Sequence, residues 1–221
     1  MDKVTVRARF REVCEKVFSK DGFKFFAKRE AYLCKQSFEW QYLAHFRVVK
    51  STITLIEPSF SIRNIPVETI FHQGMKTPKK YIDMTSVLWT DANVLMGEVN
   101  EIFFDVKTPE DVDYAAHKYV DIYQRYGKNF FDSFSSLEII DQILNSNPRD
   151  FCPYQPSALH RCCFGVIVAI MCHGRAKAEA LISEQREMLA KINNGYYLQN
   201  FDNILNQEII APEGIYSISG T

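Results

Sequence analysis

Apolar positions near the start of the chain recur every three or four residues, which is the period of an α-helix. The charged residues between them fall largely on the opposite face. Asp21-Gly22 follows, and Gly22 suits the left-handed conformation that ends many helices. The pattern therefore predicts an amphipathic helix over residues 4–20, with its apolar face formed by Val6, Phe10, Val13, Cys14, Val17 and Phe18.

Residues 23 to about 63 change to the two-residue period of β-strands. The segment FKFFAKREAYLCKQ predicts one or two short strands, and STITLIE and PSFSIRN predict two more, with Pro58 at a bulge, turn or edge. In SFEWQYLAHFRVV, apolar and polar residues alternate, and only Leu43 breaks the pattern. This is typical of an antiparallel strand with one buried and one solvent face. One face holds Phe38, Trp40, Tyr42, Ala44 and Phe46, the other holds Glu39, Gln41, His45 and Arg47, and the sequence does not say which face is covered.

The pattern turns from strands to helices at Thr108. Before it, PVETIFHQ predicts a short helix with Pro66 in its first turn, and YIDMTSVLW and GEVNEIFFDV predict two strands. Thr108 and Asp111 resemble a capping box, and the helix they start is expected to end at Gly127. Further helices are predicted in SSLEIIDQILNSNP, PSALHRCCFGVIVAIMCHG, RAKAEALISEQREMLAKINNG and FDNILNQEII.

Strands followed by helices indicate an α+β fold. We expect an N-terminal helix, an antiparallel sheet of about five to six strands, and a C-terminal helical portion packed on that sheet. No linker rich in proline, glycine or serine separates the halves. The prediction is therefore a single domain over 1–221, with a mainly sheet segment at 1–107, a helical segment at 108–210 and a tail at 211–221.

Several phrases resemble the bacterial family known as domain of unknown function 4304. They are Gly22-Phe23-Lys24, the strand FEWQYLAHF and the stretch YGKNFFDSFSSLEIIDQIL. The chain departs from the family at Lys128-Asn129, where an apolar residue and proline are common, and at Phe46-Arg47, where a Gln-Ser pair is common. The resemblance implies a fold. It brings no active-site residues, but similar compact domains occur among bacterial immunity and defence-associated proteins.

The stretch HRCCFGVIVAIMCHG suggests either a metal or redox site or a buried helix. Cys162 and Cys163 are neighbours, so on a helix they point about 100° apart and cannot readily share one ion. Cys172 falls on the opposite side from Cys163. A zinc site would need His160 and Cys163 to meet Cys152 or another pair. We interpret the stretch as a buried helix, with Gly165 and Ala169 allowing close helix approach, and predict no metal and no cofactor.

Other features leave catalysis without a named residue. The chain has no G-x-S-x-G, H-E-x-x-H or phosphate-binding glycine loop. Glu110, Asp111 and Asp113 cluster where a helix starts, and capping explains them. The chain shows no export signal and no apolar run of the roughly 20 residues that cross a membrane. We therefore expect a cytoplasmic protein that does not enter a membrane, with reduced cysteines.

Charge is uneven along the chain. Counting Lys and Arg against Asp and Glu gives 12 − 6 = +6 for residues 1–50, 4 − 5 = −1 for 51–100 and 10 − 16 = −6 for 101–221. The two ends either neutralise each other in the fold or form opposed patches that attract partners. Basic and aromatic residues are interleaved in the front third, which is one way to bind nucleic acid.

These observations favour a non-enzymatic domain that binds a protein partner, of an immunity or defence-accessory type. Tyr, Trp and Arg are common interface anchors. Two alternatives stay open: a nucleic-acid-associated protein that uses the basic front, and a hydrolase whose His, Cys or carboxylate residues meet only in the fold. The predicted partner-binding residues are Trp40, Tyr42, His45, Arg47, Arg7 and Arg11.

Overall fold

The computed structural model describes residues 1–50, 54–192, 195–207 and 209, without the side chain of Lys50. The predicted tail at 211–221 lies outside the described residues. The helices of the described part are α1 Lys3–Phe18, α2 Ile65–Gly74, α3 Ala92–Met96, α4 Pro109–Ile122, α5 Lys128–Ser133, α6 Leu137–Asn145, α7 Ala158–His173, α8 Arg175–Lys191 and α9 Gly195–Leu205. The strands are β1 Lys24–Phe26, β2 Ala31–Lys35, β3 Trp40–Lys50, β4 Thr54–Asn64, β5 Leu88–Asp91 and β6 Phe104–Asp105.

The chain has an α+β fold and forms two compact units, each built from two stretches of sequence. The sheet unit comprises residues 1–63 and 89–133, and the helical unit comprises 64–88 and 134–221. Helices α4 and α5 thus belong to the sheet unit although they follow residue 108, and α2 belongs to the helical unit. The prediction of one domain with segments divided at 107 stays a prediction. No helix of the described part is long and apolar enough to cross a membrane.

The sheet has the order β1-β2-β3-β4-β5, and β6 also pairs with β4. Pairing of β1 with β2, of β2 with β3 and of β6 with β4 is antiparallel. In β2 and β3, Tyr32 lies opposite Ala44 and Cys34 opposite Tyr42. The expected antiparallel sheet of five to six strands is therefore confirmed.

Helix α1 forms because its apolar face meets the aromatic core of the sheet unit. Asp2 caps it by accepting hydrogen bonds from the backbone N–H groups of Val4 and Thr5, at 3.0 Å each. The turn after it ends at Gly22, whose φ of 80° would strain any residue with a Cβ. The predicted helix and its stop are both confirmed. Its buried residues are Val6, Phe10, Cys14 and Phe18.

Tyr119 of α4 lies at the centre of the aromatic core. Its ring centroid is 5.4 Å from that of Phe10, 5.5 Å from that of Phe18 and 6.1 Å from that of Phe60. The ring is fully buried, and its hydroxyl has no hydrogen-bond partner among the described residues. Aromatic burial of this kind supplies much of a core's stability.

Thr108 and Asp111 form the predicted capping box at the start of α4. Thr108 Oγ1 accepts a hydrogen bond from Asp111 N at 3.3 Å, and the Asp111 carboxylate accepts one from Thr108 N at 2.8 Å. Hydrogen bonding to backbone N–H groups lowers the pKa of Asp111. Sequence reasoning finds such a cap because it is local.

Three predicted boundaries are wrong. The helix of α4 does not end at Gly127, because a π-helical turn over Tyr123–Gly127 carries it into α5. Strand β4 runs straight through Pro58, so two expected strands are one. The YIDMTSVLW and GEVNEIFFDV segments hold only the short β5 and β6, since a 3-10 helix occupies Lys79–Met84.

Helix α7 is the centre of the helical unit. Every residue from Arg161 to Met171 is buried, which confirms the interpretation of the cysteine stretch as a buried helix. Helices α2, α6, α8 and α9 all contact it. Close approach of α6 depends on Gly165, because a Cβ there would lie 2.3 Å from Asn145 Oδ1.

Arg161 ties the start of α7 to the end of α6. Its buried guanidinium donates to the carbonyls of Leu144 at 3.0 Å and Asn147 at 2.6 Å, and also to that of Asp150. Carbonyls at a helix C-terminus carry partial negative charge and lack intrahelical partners. A buried cation therefore satisfies the end of α6, which no local sequence pattern announces.

Candidate protein-binding surface

Strand β3 carries four of the six predicted partner-binding residues, and the structure buries two of them. Tyr42 is 8 % exposed, and its ring stacks on that of Phe131 with centroids 4.9 Å apart. His45 is also 8 % exposed. Neither side chain therefore presents a surface to a partner, which corrects the prediction for both. Trp40 is half-buried at the start of the strand, and Arg47 is exposed.

On the polar face of β3, His45 and Gln41 pair with polar side chains of β4. His45 Nε2 lies 2.7 Å from Ser61 Oγ, and Arg63 Nη1 donates to Gln41 Oε1 at 3.3 Å. Burial lowers the pKa of His45 to about 3, with the nearby Arg29 charge adding to the effect. The imidazole is thus neutral at ordinary pH. The sequence left open which face of the strand is covered, and the structure closes this face to solvent at His45.

The predicted arginines are occupied by carboxylates. Arg7 forms an ion pair with Glu30, and Arg11 Nε donates to Glu15 Oε2 at 2.8 Å while its guanidinium lies 4.5 Å from the centroid of the Phe25 ring. Arg47 Nε likewise donates to Glu57 Oε2, at 2.7 Å. These contacts favour the interpretation that opposite charges neutralise each other within the fold.

One arginine joins the basic front of the sequence to its acidic rear. The guanidinium of Arg9 donates to both carboxylate oxygens of Asp113, at 2.7 Å each. The pairing raises the pKa of Arg9 and lowers that of Asp113. A two-bond pair of this geometry is the strongest kind that arginine forms with a carboxylate.

The most exposed aromatic side chain of the described residues lies at the tip of the β2–β3 hairpin. Phe38 is 92 % exposed, because β3 begins only at Trp40 and the chain turns before it. The prediction that Phe38 belongs to the strand and shares a face with Trp40 and Tyr42 is therefore wrong. The alternation of the sequence continues through the turn, so periodicity alone does not reveal where the strand starts.

Hydrogen bonds fix the backbone of this tip. The hydroxyl of Ser37 accepts from Glu39 N at 3.2 Å and from Trp40 N at 3.1 Å. The Trp40 carbonyl accepts from Gln36 N at 3.1 Å and from Ser37 N at 3.3 Å. Such a serine turn replaces the ladder where the chain reverses. Phe38 is thus an exposed ring on an ordered support.

The cysteines do not gather into a reactive site. Burial raises the pKa of Cys162 to about 12 and that of Cys163 well above its usual range, so both are protonated thiols. Cys152 Sγ donates to the Ile143 carbonyl, whereas the His160 ring meets that of Phe71 edge-on at 5.2 Å. The described residues contain no group of three His, Cys, Asp or Glu side chains placed to hold a metal ion.

The sequence does not predict a buried network of polar side chains in the helical unit. Thr85 Oγ1 lies 3.1 Å from Glu68 Oε2 and 2.9 Å from His72 Nε2, and Glu68 is 1 % exposed. The four-residue spacing of Glu68 and His72 places them on one face of α2. Thr85, however, comes from a separate segment, so only the fold shows that the three side chains meet.

The Thr85 hydroxyl has a single hydrogen for three possible acceptors: Glu68 Oε2, His72 Nε2 and, at 3.5 Å, the Ile82 carbonyl. In a Ser-His-Asp arrangement the carboxylate contacts the imidazole, not the hydroxyl. Here the carboxylate contacts the hydroxyl. The geometry therefore differs from that of an activated nucleophile.

No protein-family model matches the chain, and no curated protein or solved structure is significantly similar to it. The resemblance to the 4304 family stays a prediction. Function is therefore argued from the geometry of this chain.

Proposed function

We propose that this chain is a non-enzymatic protein-binding domain that engages its partner through the tip of the β2–β3 hairpin. The observation that carries the proposal is the 92 % exposure of Phe38 on a hydrogen-bonded turn. Aromatic residues, Phe included, are enriched at the cores of interfaces, and aromatic anchors that fill pockets are frequent hot spots. An ordered turn also loses little conformational entropy on binding.

The immunity or defence-accessory type of this activity is supported by the 4304 resemblance, and we propose the cytoplasm as its location. The resemblance includes strand FEWQYLAHF, whose first residue is Phe38.

The nucleic-acid alternative receives less support from the same surface. Stacking platforms on sheets present several aromatic rings to successive bases. Here Tyr42 and Phe46 are buried, and Arg7 and Arg11 are engaged by carboxylates. A protein pocket that accepts one ring fits the exposed Phe38 better.

The test compares three forms of the full chain immobilised in a lysate of the native host. Wild type and Val99→Ser should retain a stoichiometric protein, whereas Phe38→Ser should retain none. Val99 is the matched control, because it is 96 % exposed in a loop of the same unit. Absence of any retained protein, or equal retention by Phe38→Ser, would overturn the proposal.

A further inference from the structure

The basic residues among the first fifty include two groups: arginines that pair with carboxylates, and exposed lysines that form no ion pair in the described part of the chain. The arginines of α1 are held by carboxylates, as Arg7 is by Glu30 and Arg9 by Asp113. Lys20, Lys24 and Lys35 are exposed, and none of them makes an ion pair within the part of the chain that the structure describes. The charge that the fold leaves available is therefore on lysines.

These lysines lie at the hairpin end of the sheet unit. Lys24 of β1 is opposite Leu33 of β2, and Lys35 follows Leu33 by two residues, where β2 leads into the tip. Lys20 precedes Gly22, at which a Cβ would be 3.8 Å from the sulfur of Cys34 in β2. Lys35 thus ends the strand that leads into the tip, Lys24 lies on the neighbouring strand β1, and Lys20 lies in the turn before β1.

Carboxylates at this end offset the lysines only in part. Asp21 accepts from Lys128 Nζ and from the Tyr123 hydroxyl, at 2.8 Å each, so it is already engaged. Glu39 is half-buried within the tip. An anionic partner surface would gain attraction from the three lysines over distances of about 10 Å, the screening length near 0.1 M salt.

We infer that the partner is a protein whose apolar pocket is bordered by Asp and Glu residues: the pocket receives Phe38 and the carboxylates face Lys24 and Lys35. This inference rests on the proposed binding through the tip. Charges at the border of an interface accelerate association and fix its orientation, and the aromatic anchor supplies most of the affinity.

Two measurements on the lysate-retained protein test the inference. A carbodiimide cross-linker, which joins amines directly to carboxylates, should link Lys24 or Lys35 to Asp or Glu of the retained protein. The double variant Lys24→Glu, Lys35→Glu should retain about tenfold less protein at low salt, and the difference should shrink at high salt. The control Lys79→Glu, Lys80→Glu makes the same charge change on exposed lysines of the helical unit and should retain as much as wild type.

The outcomes separate the inference from the proposed function. The inference is overturned if the Lys24→Glu, Lys35→Glu variant retains as much protein as wild type. It is also overturned if the cross-links to the retained protein involve only other lysines of this chain. The two lysines would then serve to keep the sheet edge from pairing with other chains. If Phe38→Ser still abolishes retention, the proposed function stands. Release of the retained material by nuclease treatment overturns both in favour of nucleic acid.

Discussion

Strand β3 and helix α7 are both buried at the centre of a unit, yet their sequences look entirely different. Helix α7 is apolar on all sides between Cys162 and Cys172, and its burial follows from composition. Strand β3 alternates apolar and polar residues, which predicts one solvent face, although His45 is as buried as Tyr42. The difference shows that a polar strand face is not evidence of exposure when other polar groups can satisfy it.

The largest expected effect concerns the cation buried in α7. Replacing Arg161 with Met leaves carbonyls of Leu144, Asn147 and Asp150 without their donor, and should lower the free energy of unfolding by about 4 kcal/mol. Denaturant unfolding monitored by circular dichroism measures the change. Arg149→Ala is the control: among the described residues this exposed arginine forms surface ion pairs with Glu184 and Glu187, so its loss should cost less than about 1 kcal/mol. Equal losses in the two variants would show that Arg161 is dispensable.

In β3, the contribution of the buried His45 to the free energy of unfolding depends on pH. The pKa of His45 in the folded state is about 3, below its unfolded value of about 6.5, so the unfolded chain binds the proton first as pH falls. The free energy of unfolding is therefore highest above about pH 6.5. It should decline by about 1.4 kcal/mol per pH unit as pH falls toward 3.

Isolating this contribution requires a variant that does not titrate. In urea titrations between pH 7 and 5, the free energy of unfolding of His45→Gln should depend less on pH than that of wild type. The difference should approach the contribution of one histidine, about 1.4 kcal/mol per pH unit. Burial also lowers the pKa of His160, so some slope in the same direction should persist in the variant. Identical slopes in wild type and His45→Gln would mean that His45 is accessible to protons in the folded state.

A smaller effect is expected on the apolar side of β3. Phe46 of β3 faces Tyr119, with ring centroids 6.3 Å apart, and the Tyr119 hydroxyl has no hydrogen-bond partner among the described residues. Tyr119→Phe removes a desolvated polar atom and keeps the ring, so it should raise the free energy of unfolding by about 1 kcal/mol. Thermal unfolding checks the sign. Destabilisation would indicate that the hydroxyl is satisfied after all.

The smallest effect on stability is expected at the tip of the hairpin. Phe38 buries almost no surface in the folded chain, so Phe38→Ser should change the free energy of unfolding by less than about 0.5 kcal/mol. A larger loss in urea titration would mean that the ring supports the hairpin.

The predictions that the structure confirms are those that rest on local sequence patterns. The capping box of Thr108, the stop at Gly22 and the apolar faces of α1 and α7 each depend on neighbours within a few residues. The start of β3 and the continuation of α4 past Gly127 depend on packing against distant elements, and periodicity does not encode them. The candidate site was found only in part, because the turn that exposes Phe38 carries an apolar residue in phase with the strand.

The contact between Arg9 and Asp113 spans 104 residues of sequence, and Cys14 contacts the Ala116 carbonyl across 102. Helix α1 therefore emerges from the ribosome long before the helix that covers it. Until α4 has been synthesised, its apolar face with Phe10 and Phe18 stays uncovered on that side. Contacts between residues so far apart in the sequence slow folding and prolong the exposure of hydrophobic surface. Helix α1 should thus need protection by chaperones until α4 has been synthesised.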